Sequence, residues 1–158
     1  FFLGKYEHPD GGKLTFAPSI PGHVEHRQLT NNSLNIMAGG FLACTPGVNI
    51  KAKFGGLKAL FSGEGAFLLE ASGSGDLFFN SFGGVVEKQI NGEFIVDTGH
   101  VVAFDPSLDY KITGMGSFKS TMLSGEGMVM RFSGNGKLYL QTRNVSGIAS
   151  WLTPRLLG

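Results

Sequence analysis

One phrase occurs twice in the chain. Ser62-Gly63-Glu64-Gly65 returns as Ser124-Gly125-Glu126-Gly127, 62 residues later. Other matches keep the same order and nearly the same spacing. Thr45-Pro46 is answered by Asp105-Pro106, Val48-Asn49-Ile50-Lys51 by Leu108-Asp109-Tyr110-Lys111, and Gly73-Ser74-Gly75 by Gly134-Asn135-Gly136. Recurrence at a fixed offset is architectural information before it is chemical information. It requires a fold in which each stretch of about 62 residues closes on its own and packs against another like it.

The pattern inside each stretch is β. Val48 to Phe54 alternates apolar and polar residues, the period of a half-buried strand. Lys13 to Ala17 alternates in the same way, and Leu34–Ala38 and Phe41–Cys44 read as further strands. Pro18, Pro21-Gly22, Asn31-Asn32-Ser33 and Pro46-Gly47 read as turns. The chain has 25 glycines in 158 residues. Glycine weakens strands and helices, so most are expected in turns, with many short strands between them. Fourteen phenylalanines supply the core. The expected domains are the end of a first module at 1–12, a second at 13–75 and a third at 76–143. A tail at 144–158 follows, where the apolar spacing of 145, 148, 149, 151 and 152 suits one or two helical turns ending at Pro154.

Several function classes lose support. Net charge is +1, far from the strongly basic balance of a nucleic-acid domain. The single cysteine, Cys44, cannot form an internal disulfide and reads as a buried structural thiol. No stretch approaches the ~20 apolar residues of a membrane-spanning helix, and a cytoplasmic location is expected. His23 and His26 are three residues apart, so a regular strand points them to opposite faces, and no metal site is expected. Neither glycine-rich loop carries the Gly-Lys-Ser/Thr ending of a phosphate loop. Glu64 and Glu126 would occupy like environments, whereas an acid–base pair needs unlike ones. No catalytic residue and no cofactor is expected.

The residues singled out for interaction lie in the repeated loops. Leu57, Lys58, Leu60, Phe61 and Glu64 form one set, and Phe118, Lys119, Met122, Leu123 and Glu126 the other. Apolar side chains beside a cation suit packing against a neighbouring module or subunit, and a membrane surface is the alternative. Lys13/Lys137, Lys51/Lys111 and Lys58/Lys119 would recur as basic spots, but without an aromatic stripe to stack bases on, RNA is not expected.

The pieces Phe16-Ala17-Pro18-Ser19-Ile20-Pro21-Gly22, the two Ser-Gly-Glu-Gly cores, Val96-Asp97-Thr98-Gly99-His100-Val101-Val102-Ala103-Phe104-Asp105, Tyr139-Leu140-Gln141-Thr142-Arg143-Asn144 and Ala149-Ser150-Trp151-Leu152 together resemble the AIM family, named for altered inheritance of mitochondria. The resemblance spans nearly the whole chain. It implies an all-β chain of tandem modules like the tryptophan RNA-binding attenuation protein, each a short double-stranded β-helix. It also implies homotrimers that form a ring, and it brings no catalytic residues. Most of the first of three modules is absent from this chain. The expected function is a non-enzymatic oligomeric scaffold or binding module. The alternatives are an RNA- or small-ligand-binding ring and a peripheral membrane-associated protein, and a cupin-like metalloenzyme comes last.

Overall fold

The computed structural model describes residues 3–54, 67–114 and 128–156. It is mostly antiparallel β-sheet with one short helix near the end of the chain. In order come β1 (Val24–Met37), a 3-10 turn (Ala38–Gly40), β2 (Phe41–Cys44), β3 (Val48–Phe54) and β4 (Phe67–Asn80). Then follow β5 (Val85–Asp97), a second 3-10 turn (Thr98–His100), β6 (Val101–Phe104), β7 (Leu108–Gly114), β8 (Met128–Gln141) and α1 (Val145–Leu156). The second set of strands follows the order of the first.

All eight strands hydrogen-bond into one sheet, in the order β2-β4-β1-β6-β8-β5, with β3 also on β4 and β7 also on β8. β4 and β8 are the long central strands of their halves. β4 pairs with β1 along nearly its whole length and with β2 and β3 on its other side. β8 does the same with β5, β6 and β7. The alternation read at 48–54 is real, and its repeat counterpart from Leu108 shows the same pattern: Val48 and Leu108 are buried while Asn49, Lys51, Asp109 and Lys111 are exposed.

Two cores result, and each borrows from the other half. Leu29, Leu34, Ile36, Leu77 and Phe79 pack with Val102, Ala103 and Tyr139. Ile90, Phe104, Leu108, Met130, Phe132 and Leu138 pack with Leu68. Phe104 meets Phe132 and Tyr110 edge-on, with centroids 5.1 and 5.2 Å apart. Such pairs add to the burial of the rings.

Several sequence expectations need correction. Asn31-Asn32-Ser33 is no turn: β1 runs through it. The extra residue is absorbed as a bulge opposite Gly73 and Ser74, with Asn31 at φ 57°. Asparagine tolerates that left-handed geometry, and the Ser74 hydroxyl accepts the Asn31 N–H at 3.0 Å. Gly73 and Gly134 are not turn residues either. Each sits inside a long strand, at φ 124° and 122°, where the start of β3 or β7 passes close overhead. A Cβ on Gly73 would lie 2.3 Å from the Gly47 carbonyl oxygen, and one on Gly134 would lie 2.8 Å from that of Ser107. The strands are accordingly fewer and longer than expected.

Lys13–Ala17 forms no strand, and Leu14 and Phe16 are exposed. Alternation alone does not make a strand; it needs a neighbour to hydrogen-bond, and none of the described strands pairs with this segment. Pro154 lies inside α1 rather than ending it. Residues 75 and 76 are neighbours within β4, whereas 81–84 is the link between the two sets of strands.

Candidate functional site

The ten residues singled out in the loops (Leu57, Lys58, Leu60, Phe61, Glu64, Phe118, Lys119, Met122, Leu123 and Glu126) lie outside the described residues. The geometry instead directs attention to the seam between the halves and to the two sheet edges.

At the seam, Asn35 pairs with Phe104 and Ile36 with Ala103, joining β1 to β6. Linker backbones add to it: His23 N–H donates to Gly83 O at 2.9 Å, and Gly83 N–H donates to Pro21 O at 3.1 Å. β6 is therefore held on both sides, by β8 and by β1, and all four of its residues are buried. β2 follows its 3-10 turn as β6 does, but among the described strands pairs with β4 alone, and all four of its residues are half-exposed. The other end of the sheet shows the reverse. Counted back from the 3-10 turns, Ile95 and Val96 stand where Asn35 and Ile36 stand in β1. Asn35 is 5% exposed under β6, while Ile95 is 49% exposed. Among the described strands none covers that side of β5. Among the described strands β3 and β7 also have one neighbour each, but β2 and this end of β5 are the two edges that correspond to the strands of the internal seam.

A polar network crosses the seam. Arg27 on β1 donates from Nη1 to Tyr139 Oη at 2.7 Å and from Nη2 to Asp105 Oδ1 at 3.0 Å. The Asp105 Oδ2 accepts the Lys137 backbone N–H at 2.8 Å. Thr45 Oγ1 plays that capping role in the first half, accepting the Asp76 N–H at 2.8 Å, but it offers no charge to a cation. Lys137 Nζ lies 2.8 Å from Glu87 Oε1. The hydrogen bond from Lys137 holds the Glu87 carboxyl below the usual carboxylate range, and the same bond pushes the Lys137 ammonium up. Burial raises the Tyr139 phenol, against the pull of Arg27. In the first half the corresponding cross-strand contact joins His26 to Asp76 at 2.8 Å, and the His26 ring stacks on Phe78. No sequence signal points to Arg27 and Asp105, which are 78 residues apart.

Residues 1–143 match the family model for mitochondrial biogenesis AIM24. The chain belongs to this family. It is 34% identical over 144 residues to an uncharacterised protein of Streptococcus pyogenes serotype M6, covering 89% of this chain and 58% of that one. A crystal structure of a Streptococcus pyogenes protein superposes with a TM-score of 0.77 at 31% identity, over 88% of this chain and 62% of that one. The chain therefore spans about three-fifths of the length of these relatives.

Other sequence candidates in this AIM24-family chain have structural explanations. His23 faces Glu25 at 3.3 Å and His26 faces Asp76. His100 bridges the Gln141 carbonyl, 2.7 Å from Nδ1, and the Asn144 side-chain amide, 3.0 Å from Nε2. Among the described residues no three of His, Cys, Asp and Glu gather as metal ligands would. Asp97 accepts the Gly99 N–H in its 3-10 turn, as expected of a turn residue. Cys44 is half-buried rather than buried; partial desolvation raises its thiol pKa. A shallow open cleft of about 440 Å³, lined by His23, Gly83, Thr142 and Arg143 among others, lies over the linkers. No helix among the described residues is long and apolar enough to cross a membrane.

Proposed function

We propose that the chain is a non-enzymatic scaffold or binding protein that works as a closed ring of like modules, with three chains per ring. The modules would be 24–80 and 85–141, each a short double-stranded β-helix like that of the tryptophan RNA-binding attenuation protein. The support is the common element order, the shared turn hydrogen bonds at Thr45 and Asp105, the matching register shifts at Phe41/Ala43 and Val101/Ala103, and the matching glycines Gly73 and Gly134. The observation that carries the ring is that, among the described strands, β2 pairs with β4 alone and β5 with β8 alone, where β6 and β1 pair with each other as well. The half-exposed β2 of one copy fits the bare end of β5 on the next, with the register that β6 and β1 already use. Such a head-to-tail contact repeats until it closes, and closure covers these two edges, which uncovered would invite aggregation.

Light scattering tests this. The chain should run at three times its 16.8 kDa mass, and Ile95→Lys should shift it to smaller species, since an edge lysine blocks strand addition. Far-ultraviolet circular dichroism of the variant should be unchanged. A monomer that persists across a wide range of concentration would overturn the ring, as would an Ile95→Lys variant that remains a trimer.

A further inference from the structure

Among the described residues nothing buries the helix α1. α1 contains no buried residue, and it lies beyond the 1–143 that match the family model. Its apolar residues are nevertheless ordered. Val145, Ile148, Leu152 and Leu156 recur at the three- and four-residue spacing that lines one helix face, and they are 60%, 39%, 38% and 70% exposed. The opposite face carries Ser146, Gly147 and Ser150. Beside the stripe stands Trp151, 59% exposed, with the Arg155 guanidinium 4.1 Å over its ring.

The start of the helix is firmly held. Asn144 Oδ1 accepts the Gly147 N–H at 2.6 Å, and its amide nitrogen contacts His100. The helix is therefore presented from a fixed point on the sheet.

Charge selects the occupant. No acidic residue follows Glu126 in the sequence, while Arg131, Lys137, Arg143 and Arg155 do. Arg131 and Lys137 are matched by Glu93 and Glu87. Arg143, just before the helix, and Arg155, in its last turn, have no carboxylate partner among the described residues. A second copy of this helix would bring only more positive charge to the same place. An anionic lipid surface would accept the stripe and complement both arginines, with the indole at the depth where aromatic rings with one wet edge are enriched. We propose that α1 lies in the plane of an anionic bilayer surface, with Val145, Ile148, Leu152 and Leu156 in the acyl boundary and Arg143 and Arg155 among the headgroups.

Trp151 is the only tryptophan in the chain, so its fluorescence reports on this helix alone. The whole chain is titrated with vesicles of equal parts phosphatidylglycerol and phosphatidylcholine, and with phosphatidylcholine alone. The expected result is a blue shift with co-sedimentation on the anionic vesicles, with an apparent partition roughly tenfold or more above neutral ones, weakening as salt is raised. Ile148→Asp with Leu152→Asp should abolish it without altering the circular dichroism of the sheet, because neither side chain is buried. No shift with anionic vesicles would overturn the proposal, as would a shift retained in the double variant. A shift that grows with protein concentration in the absence of lipid would assign the stripe to a second copy and overturn it too. None of these outcomes depends on whether the chain forms a ring.

Discussion

Asp105 does two things with one carboxylate, and they can be separated. Oδ2 caps the Lys137 N–H and Oδ1 holds Arg27 across the seam. Thr45 does only the first in its own half. Asp105→Thr should therefore keep the cap and lose the ion pair, and Asp105→Ala should lose both. The pair is largely withdrawn from water, with side chains 22% and 19% exposed. A hydrogen bond to a charged group contributes roughly 1.5–3 kcal/mol. Arg27 retains Tyr139 Oη and its position over the ring after either change, so the lower end applies. We expect Asp105→Thr to cost about 1–1.5 kcal/mol, and Asp105→Ala about 2–3 kcal/mol because a backbone N–H also loses its partner. Urea unfolding at one fixed protein concentration measures both as midpoint shifts at constant slope. In an Arg27→Met background the Thr variant should cost almost nothing further, while the Ala variant should still cost about 1 kcal/mol. Equal costs for Thr and Ala in the wild-type background would refute the division of labour, and so would a Thr cost that Arg27→Met leaves unchanged.

Gly73→Ala should destabilise by more than about 3 kcal/mol, since unfavourable φ adds to a clash with the Gly47 carbonyl. Gly92→Ala, at φ 104° but with open space around it, should cost only about 1–2 kcal/mol by the same unfolding assay. Phe104→Ala removes a fully buried ring between two edge-on aromatic partners and should cost about 3–5 kcal/mol, read as a fall in the thermal or urea midpoint. Glu87 has a lowered folded pKa, so its contribution is present above the ordinary carboxylate range and is lost as pH falls through the folded value. Glu87→Gln should flatten the stability–pH profile below about pH 5, by a small amount because the pair is about half exposed and screened by water; unfolding curves collected from acid to neutral pH check this.

Local periodicity makes part of this molecule legible in its sequence. The alternation at 48–54 is a property of neighbouring residues, and β3 forms where it predicts, with β7 at the repeat counterpart that begins at Leu108. Phe41–Cys44 and the Thr45-Pro46 and Asp105-Pro106 corners are similarly local. The class of the fold follows from them, and the family from motifs that recur in order. Other features depend on what lies across the sheet. Asn31-Asn32-Ser33 looks like a turn in sequence, but β4 opposite turns it into a bulge. Gly73 and Gly134 look like loop residues, but a carbonyl crossing overhead requires a glycine inside a strand. Lys13–Ala17 alternates as a strand does and pairs with none of the described strands. Phe41–Cys44 and Val101–Phe104 are both apolar strands after a 3-10 turn, yet one is half-exposed and the other buried. The difference lies in neither segment, because among the described strands β6 has β1 as well as β8 beside it, whereas β2 pairs with β4 alone. Strand identity is encoded within a few residues, whereas burial, and with it the edges available to a partner, is decided by pairings between residues far apart in the chain.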